Sequence, residues 1–490
     1  MIRIGQIPTL LSILTLAACT AMAMPGRAAA QQAAKSAEPP KPKAMVVSPA
    51  AAPIPALKYR LVPSSADLNP GDAAPIYLRI RHEMQEEAWR QISEKSPKWL
   101  EPPLKDFPAA EARQFVNMWN NKFKQIDFGA HRKTCDWNYT LPEERLNAIA
   151  IMLPDAQSMR VWGRLLAVKA RVEIAERRYD DAIRTIETGL TFGRQVGEGP
   201  FLINGLVGMA IASLMLDRCE ELIDQPGAPN LYWALTALPR PLIGLRNQTE
   251  LEKQLFENLI PELREAELAR PRDAAEWASF LARLHEGLVK WSRFDVQQGD
   301  KLPGLRALAA GDLAGFKSKA LPVAKEHLKA SRKLTDPQLA AMPEDQIVAL
   351  YFIDGYREVW DDYFKNSYLP ARIAISQYAA SEPRRVAAKQ GPFILFVQYL
   401  PSLQSAMYAE LRTDRRVAAL RTIEAIRIHA AAHDGALPGS LNPITEVPVP
   451  DDPATGKPFE YHLDGNSATL SGPKAGLPPP WPSYRITIRR

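Results

Sequence analysis

Apolar residues recur every three or four positions over most of the chain, and this spacing is typical of amphipathic helices. Proline and glycine interrupt the pattern, for example at Gly199–Pro200 and Pro303–Gly304, and leave segments of roughly 15 to 30 residues between them. Segments of this length joined by turns favour stacked helical hairpins. We therefore expect a mainly α protein.

The clearest predicted hairpin extends from Met159 to Val196, and its turn lies in the string RYDDAI. Small or apolar residues occupy positions where the two helices would pack, namely Leu166, Ala170, Tyr179, Ala182 and Ile186. This pattern resembles a tetratricopeptide repeat, although Lys169 and Glu173 stand where that repeat has large apolar residues. No second copy follows at a period of about 34 residues. The resemblance implies tetratricopeptide-like packing without a proven array.

Two other segments are predicted to lie in the helical core. Phe201–Leu216 is apolar almost all round, but it is shorter than the ~20 residues that span a bilayer, so a buried helix is favoured. Between Leu350 and Phe364, apolar and aromatic residues stand three or four apart, which predicts a core-facing stripe.

The pattern changes after the last predicted helix, Arg415–His433, which Asp434 and Gly435 should end. Alternating segments then flank the turn string DGN, and Tyr484–Ile488 is a further predicted strand. We expect residues 411–490 to form a small C-terminal cap that consists of a helix plus a β-hairpin in an antiparallel sheet. A short alternating run, Leu57–Val62, is another candidate strand.

The N-terminus has the order of a secretory signal peptide, which we place at residues 1–30. Arg3 precedes an apolar run from Ile7 to Ala18, and small residues follow. Cleavage after an Ala-x-Ala site is one route. The alternative is a lipoprotein, because Cys19 ends a string, LAAC, that resembles a lipobox. Residues 31–56 are rich in Ala and Pro and should be a tether, and residues 57–410 should form the helical domain.

The charge distribution and the cysteine content limit which binding partners and which disulfide we expect. The chain has 61 basic and 55 acidic residues, and they are interleaved, so a nucleic-acid surface is not expected. Cys135 and Cys219 are the cysteines of the expected mature fold. In an oxidising compartment they are candidates for a disulfide, but they could equally remain apart as buried apolar residues.

The candidate metal ligands are few. His429 and His433 stand four apart on one helix face, a spacing that can hold zinc, but the sequence shows no third ligand. Asp451 and Asp452, with Asp464, could offer oxygens to calcium, although turn formation explains acids at these positions better. The sequence lacks a phosphate loop and a G-x-S-x-G string, so no catalytic residue and no cofactor are assigned.

Two resemblances add to this interpretation. The strings CDW, VGEGPFLINGLVGMAIASLMLDRCEELIDQPGAPNLYWALTALP and AAAHDGALPGSLNPITEVPVPDDPATGKPFEYHLDG resemble a family of exported planctomycete proteins without an assigned activity. This resemblance implies export and a helical fold. The segment from Asp434 to Tyr461 looks like the C-terminal region of type II secretion pseudopilins, which end in a small sheet that can hold calcium.

The sequence therefore predicts an exported protein of the periplasm or cell envelope that acts as a scaffold or binds a protein or peptide, without catalysis. Membrane attachment would come only from a lipid at Cys19. The alternative is a hydrolase of envelope polymers whose carboxylates are brought together only by the fold.

Overall fold

A computed structural model describes residues 41–137, 146–265, 271–296, 313–388, 403–474 and 481–489. The chain is mainly helical with a small sheet near its C-terminus, as the sequence predicts. The helices are α1 (Ala74–His82), α2 (Glu86–Leu100), α3 (Ala109–Asn117), α4 (Asn120–Ala130), α5 (Leu146–Ala175), α6 (Tyr179–Gly197), α7 (Leu202–Ile223), α8 (Tyr232–Thr236), α9 (Arg246–Leu259), α10 (Glu262–Glu265), α11 (Ala274–Val296), α12 (Leu313–Arg332), α13 (Asp336–Ala340), α14 (Glu344–Phe364), α15 (Ala371–Ala388) and α16 (Leu403–Ala432). The strands are β1 (Lys43–Val47), β2 (Asn69–Asp72), β3 (Arg132–Thr134), β4 (Glu460–Asp464), β5 (Ser467–Ser471) and β6 (Ser483–Ile488).

The described residues group into two compact units. The hairpin-sheet unit comprises residues 41–137, 151–248, 405–474 and 481–489, and the helical unit comprises the described residues within 146–150 and 249–404. The N-terminal helices and the predicted hairpin belong to the same unit as the C-terminal sheet.

The predicted hairpin is formed by α5 and α6, and the turn between them contains Arg177 in the left-handed region, at φ 59°. The two residues that depart from the tetratricopeptide pattern bridge the helices. Lys169 Nζ donates to Glu173 Oε1 at 2.5 Å and to Thr185 Oγ1 at 2.6 Å. The Thr185 hydroxyl donates to Glu173 Oε2 at 2.7 Å. A hydrogen-bonded polar group thus replaces the apolar contact of the repeat.

Helix α7 packs against α6 at very short range, because both helices are glycine-rich at the contact. A Cβ on Gly208 would overlap the carbonyl oxygen of Gly193 and lie 2.9 Å from Gly197 Cα. Among the described residues, α7 is the one helix long and apolar enough to cross a membrane, and 72% of its most apolar window is buried inside the protein. This burial agrees with the predicted core helix.

The C-terminal sheet has the strand order β1-β6-β5-β4. Strands β4 and β5 form the predicted hairpin, and β6 pairs antiparallel with β5. The prediction of a tether over residues 31–56 is wrong for Lys43–Val47, because these residues form a strand parallel to β6. Met45 and Val47 are buried in it, so the sheet gains apolar contacts from a segment whose composition suggests a linker. The predicted strand at Leu57–Val62 is also wrong, since these residues form turns and loop.

The helical unit is organised around α14. The predicted aromatic stripe on this helix is core, since Ile353, Tyr356, Trp360 and Phe364 are all at most 2% exposed. Phe352 of the same helix stacks on a phenylalanine of α12 with ring centroids 4.9 Å apart. Buried aromatic rings of this size contribute strongly to the energy of a core.

Candidate functional site

Helix α16 carries many of the charged side chains that the hairpin-sheet unit buries. Basic and acidic residues alternate with apolar ones along it, so charged positions occur on several faces of the helix. The residues of α16 and its C-terminus that make the contacts below are Glu410, Asp414, Arg415, Arg416, Glu424, Arg427, His429 and His433.

Asp452, one of the calcium candidates, is bound by an arginine of α16. Arg415 donates to both carboxylate oxygens, from Nε at 2.9 Å and from Nη2 at 2.7 Å, and both side chains are 0% exposed. The Asp452 carboxylate also accepts a hydrogen bond from the Ala454 amide at 2.9 Å. Asp451 beside it is exposed. Asp464 lies on the β4–β5 hairpin, 3.5 Å from an Arg485 nitrogen. The contacts of Asp452 therefore support the alternative of a turn-forming acid.

Glu220 is the centre of a second buried charge group. It receives hydrogen bonds from Arg416 Nε at 2.7 Å and from the Tyr484 hydroxyl at 2.8 Å, and Lys43 forms a further ion pair with it. Burial alone would raise the pKa of Glu220, but the Arg416 guanidinium and the Lys43 ammonium together outweigh that effect and lower the pKa to about 2. The carboxylate is therefore ionised at neutral pH, and it ties β1, β6 and α16 to α7.

Glu424 and Arg427 form a third pair, in which both side chains are 0% exposed and the closest atoms are 2.9 Å apart. Arg427 also donates to the carbonyl oxygens of Ser48 and Ala228, at 2.9 and 2.7 Å. Its donors are thus shared between an acid and backbone carbonyls. These three arrangements use buried charge to hold segments together, which is a structural use of carboxylates.

Glu410 and Asp414 differ from these pairs, because the contacts described for them are with backbone amides. Glu410 accepts from the Leu245 amide at 3.1 Å, and Asp414 accepts from the Leu242 amide at 3.0 Å. Burial raises the pKa of Glu410 to about 7, with a contribution from the Asp414 charge. Burial also raises the pKa of Asp414 to about 6. Acids with raised pKa values are candidates for general acids, although these two stand one helical turn apart on α16 and are not brought together by the fold.

The disulfide candidates are both free thiols. Cys219 lies buried on α7, and burial raises its pKa to about 12. Burial also raises the pKa of Cys135, and the Glu198 charge adds to this effect. Both thiols are therefore protonated and poorly nucleophilic at neutral pH. The lipidation candidate, Cys19, lies outside the described residues.

The structure places a third group with a potential ligand atom, the Glu446 carboxylate, beside the two zinc candidates. His429, His433 and Glu446 each offer one ligand atom, and these atoms all lie within 4.8 Å of one another. Glu446 Oε1 is 3.2 Å from Nδ1 of His429 and 3.4 Å from Nδ1 of His433. The imidazole rings stack with centroids 3.9 Å apart. Glu446 was missed because it stands alone in the string PITEVPVP, without a spacing that relates it to the histidines.

An exposed apolar group lies in the helical unit, where α15 begins. Tyr368, Leu369 and Ile373 are 47%, 37% and 39% exposed. Leu369 lies in the extended segment just before the helix, and Ile373 lies in the first turn of the helix. Grouped apolar side chains at a surface are typical of contact sites for other molecules.

Comparison with protein-family models found no family that matches this chain, and comparisons with curated proteins and with solved structures found no match either.

Proposed function

We propose that this protein is exported to the periplasm or cell envelope and acts there as a scaffold that binds a protein or peptide, without catalysing a reaction. Export is supported by the order of the first 30 residues, which is that of a signal peptide, and by the resemblance to exported planctomycete proteins. Binding without catalysis is supported by helical hairpins, which offer extended surfaces for contact.

The observation that carries the binding proposal is the exposed apolar group of Tyr368, Leu369 and Ile373. Removing apolar side chains of this kind from water is favourable by roughly 25 cal/mol per Å² of apolar surface. A partner that presents an apolar segment would recover this energy. The buried acids Glu220 and Asp452 support the non-catalytic part of the proposal, because arginines hold both carboxylates as structural charges.

The test is co-purification from envelope extracts with three forms of the full chain. Leu369→Ser combined with Ile373→Ser removes two apolar side chains of the group. Val323→Ser is the matched control, because Val323 is 53% exposed on α12 and is not part of the group. We expect the wild type and the control to retain the same partner and the double variant to lose it. Recovery of the bait alone, or equal retention by all three forms, would overturn the proposal.

Export has a separate test, which is the intact mass of the protein recovered from the envelope. Cleavage after an Ala-x-Ala site predicts a mature chain that begins near residue 24 or 31. Lipidation predicts a chain that begins at Cys19 with the added mass of acyl groups. A full-length chain found in the cytosol would contradict export.

Glu410 and Asp414 favour a second candidate function, the hydrolysis of an envelope polymer. The raised pKa of Glu410, about 7 through burial, suits a general acid near neutral pH. The assay is the release of soluble fragments from purified cell-wall polymer by the wild type, by Glu410→Gln and by Asp414→Asn. Activity that either substitution abolishes would establish this second function and overturn the non-catalytic one. Equal release by all three forms, or none, would remove it.

A further inference from the structure

We propose that His429, His433 and Glu446 form a binding site for a transition-metal dication, with zinc as the preferred ion. This site is independent of the exposed apolar group at the start of α15 and of the proposed scaffold function. Two imidazole nitrogens and one carboxylate oxygen are a ligand set that zinc accepts, and three protein ligands leave a position for water. Calcium and magnesium prefer oxygen ligands alone, so the two imidazoles select against them.

The distance between two of the three ligand groups already fits a tetrahedral ion. Metal–ligand bonds of about 2.0 to 2.1 Å place neighbouring ligand atoms roughly 3.3 Å apart. His429 Nδ1 and Glu446 Oε1 are already 3.2 Å apart. The His433 side chain is 51% exposed, so its ring can turn to direct a nitrogen at the same point. The cluster can therefore bind an ion once the His433 ring leaves its stack on His429, a movement on the solvent side.

A backbone amide already orients the Glu446 carboxylate, whereas the His433 ring is held away from the ion by a backbone contact. His433 Nδ1 lies 2.9 Å from the carbonyl oxygen of His429, and the His433 ring gives up this contact when it turns toward the ion. The Thr445 amide donates to Glu446 Oε2 at 3.0 Å, which leaves Oε1 directed at the histidines. Contacts of this kind fix the tautomer or orientation of metal ligands in proteins.

The electrostatic setting also favours a cation. The cluster stands at the C-terminal end of α16, where the helix dipole presents partial negative charge. The helix is closed by a hydrogen bond from the Gly435 amide to the Ala430 carbonyl at 2.8 Å, with Asp434 and Gly435 at φ 50° and 82°. This fixed end holds His429 and His433 in register on successive turns.

An ion at this site would join the end of α16 to the loop that contains Glu446. We therefore expect zinc to raise the melting temperature of the protein as well as to bind. The competing explanation is a shared proton, in which the histidines only donate hydrogen bonds to Glu446. That explanation predicts no zinc binding that depends on these residues.

The test is zinc titration of tag-free, metal-stripped full chain by calorimetry. We expect one zinc ion per chain for the wild type, and affinity at least about tenfold weaker for His433→Gln and for Glu446→Gln. His462→Gln is the matched control, because His462 is an exposed histidine on β4, outside the cluster, and this variant should bind zinc as the wild type does. Circular dichroism of the metal-free variants verifies folding. The substitution of His433 should not affect folding, because this side chain is exposed.

The absorption spectrum of the cobalt-substituted protein provides a second readout, since four-coordinate cobalt absorbs more strongly than six-coordinate cobalt. We expect this absorption in the wild type and in His462→Gln, and its loss in His433→Gln. Absence of zinc binding by the wild type, or equal affinity in all four proteins, would overturn the proposal. Calcium that binds at the same residues more tightly than zinc would overturn it as well.

Discussion

Replacing Asp452 with Asn should destabilise the hairpin-sheet unit by about 3 to 5 kcal/mol, because the Arg415 guanidinium is then buried without a counter-charge. Both side chains are 0% exposed, and their hydrogen bonds measure 2.9 and 2.7 Å. Charges about 4 Å apart attract by about 4 kcal/mol at an effective dielectric constant of about 20. Within the described residues, Arg415 Nη1 has no hydrogen-bond partner, so the guanidinium has few contacts to compensate for the loss.

The neighbouring Asp451 provides a matched control, because it is exposed and allows the same substitution. Asp451→Asn should change the free energy of unfolding by no more than about 0.5 kcal/mol. The measurement is urea unfolding followed by circular dichroism, combined with hydrogen exchange of peptides from α16 and from β4 to β6. If Asp452→Asn and Asp451→Asn unfold at the same urea concentration, the argument from the buried charge is refuted.

A double variant separates the lost attraction from the cost of the orphaned charge. Arg415→Met combined with Asp452→Asn removes the guanidinium as well, while the Asn can still accept the hydrogen bond from the Ala454 amide. Replacement of a buried ion pair by apolar groups is often neutral, so the double variant should be more stable than Asp452→Asn alone. A double variant that loses the sum of both single losses would contradict this reasoning.

The other predictions concern helix packing and pH. Gly208→Ala should destabilise the protein by about 1 to 3 kcal/mol, because its Cβ meets the backbone of α6, whereas Gly439→Ala, with nothing within 4 Å, should be near neutral in the same urea assay. Glu410→Gln should raise the melting temperature at pH 8 and have little effect at pH 4. Burial raises the pKa of Glu410 from 4.5 to about 7, so the folded state binds more protons between these values and loses stability as pH rises through them. A larger gain at pH 4 than at pH 8 would contradict the direction of that shift.

Local patterns predicted the elements that local sequence determines. The α5–α6 hairpin follows from the spacing of residues such as Leu166, Ala182 and Ile186, which are all at most 1% exposed. The β4–β5 hairpin follows from alternation on both sides of Gly465, whose φ of 56° a tight turn requires. In these cases the pattern and the contact that stabilises the element lie within a few tens of residues.

Strand β1 could not be found in the same way, because its partner is far along the chain. Lys43 pairs with Tyr484 and Val47 with Ile488, so the strand exists only where β6 is already in place. The surrounding residues are Ala, Pro and Lys, which indicate a linker when they are considered alone. The Leu57–Val62 segment shows the converse, since its alternation finds no strand partner and it remains in turns and loop.

For a related reason, the sequence predicted only the two histidines of the candidate metal site. The helical period places His429 and His433 on one face, and this relation can be read from their spacing of four. Glu446 reaches them through a loop, and no periodicity relates a loop residue to a helix face. Similarly, the acids Glu410 and Asp414 are evident on α16, but their raised pKa values come from burial, which their own spacing does not reveal.

Helix α16 shows how matched charges can specify an arrangement that apolar patterning leaves undetermined. Arg415, Glu424 and Arg427 are 0% exposed, although a sequence this rich in charge predicts a solvated face. Each of these charges has specific partners. Arg415 donates to Asp452, and Arg427 donates to Glu424 and to the carbonyl of Ser48. A shift of the C-terminal segment by one residue would leave such charges unpaired, at several kcal/mol each. Burial of α16 is therefore compatible with this one docking of its neighbours and with few others.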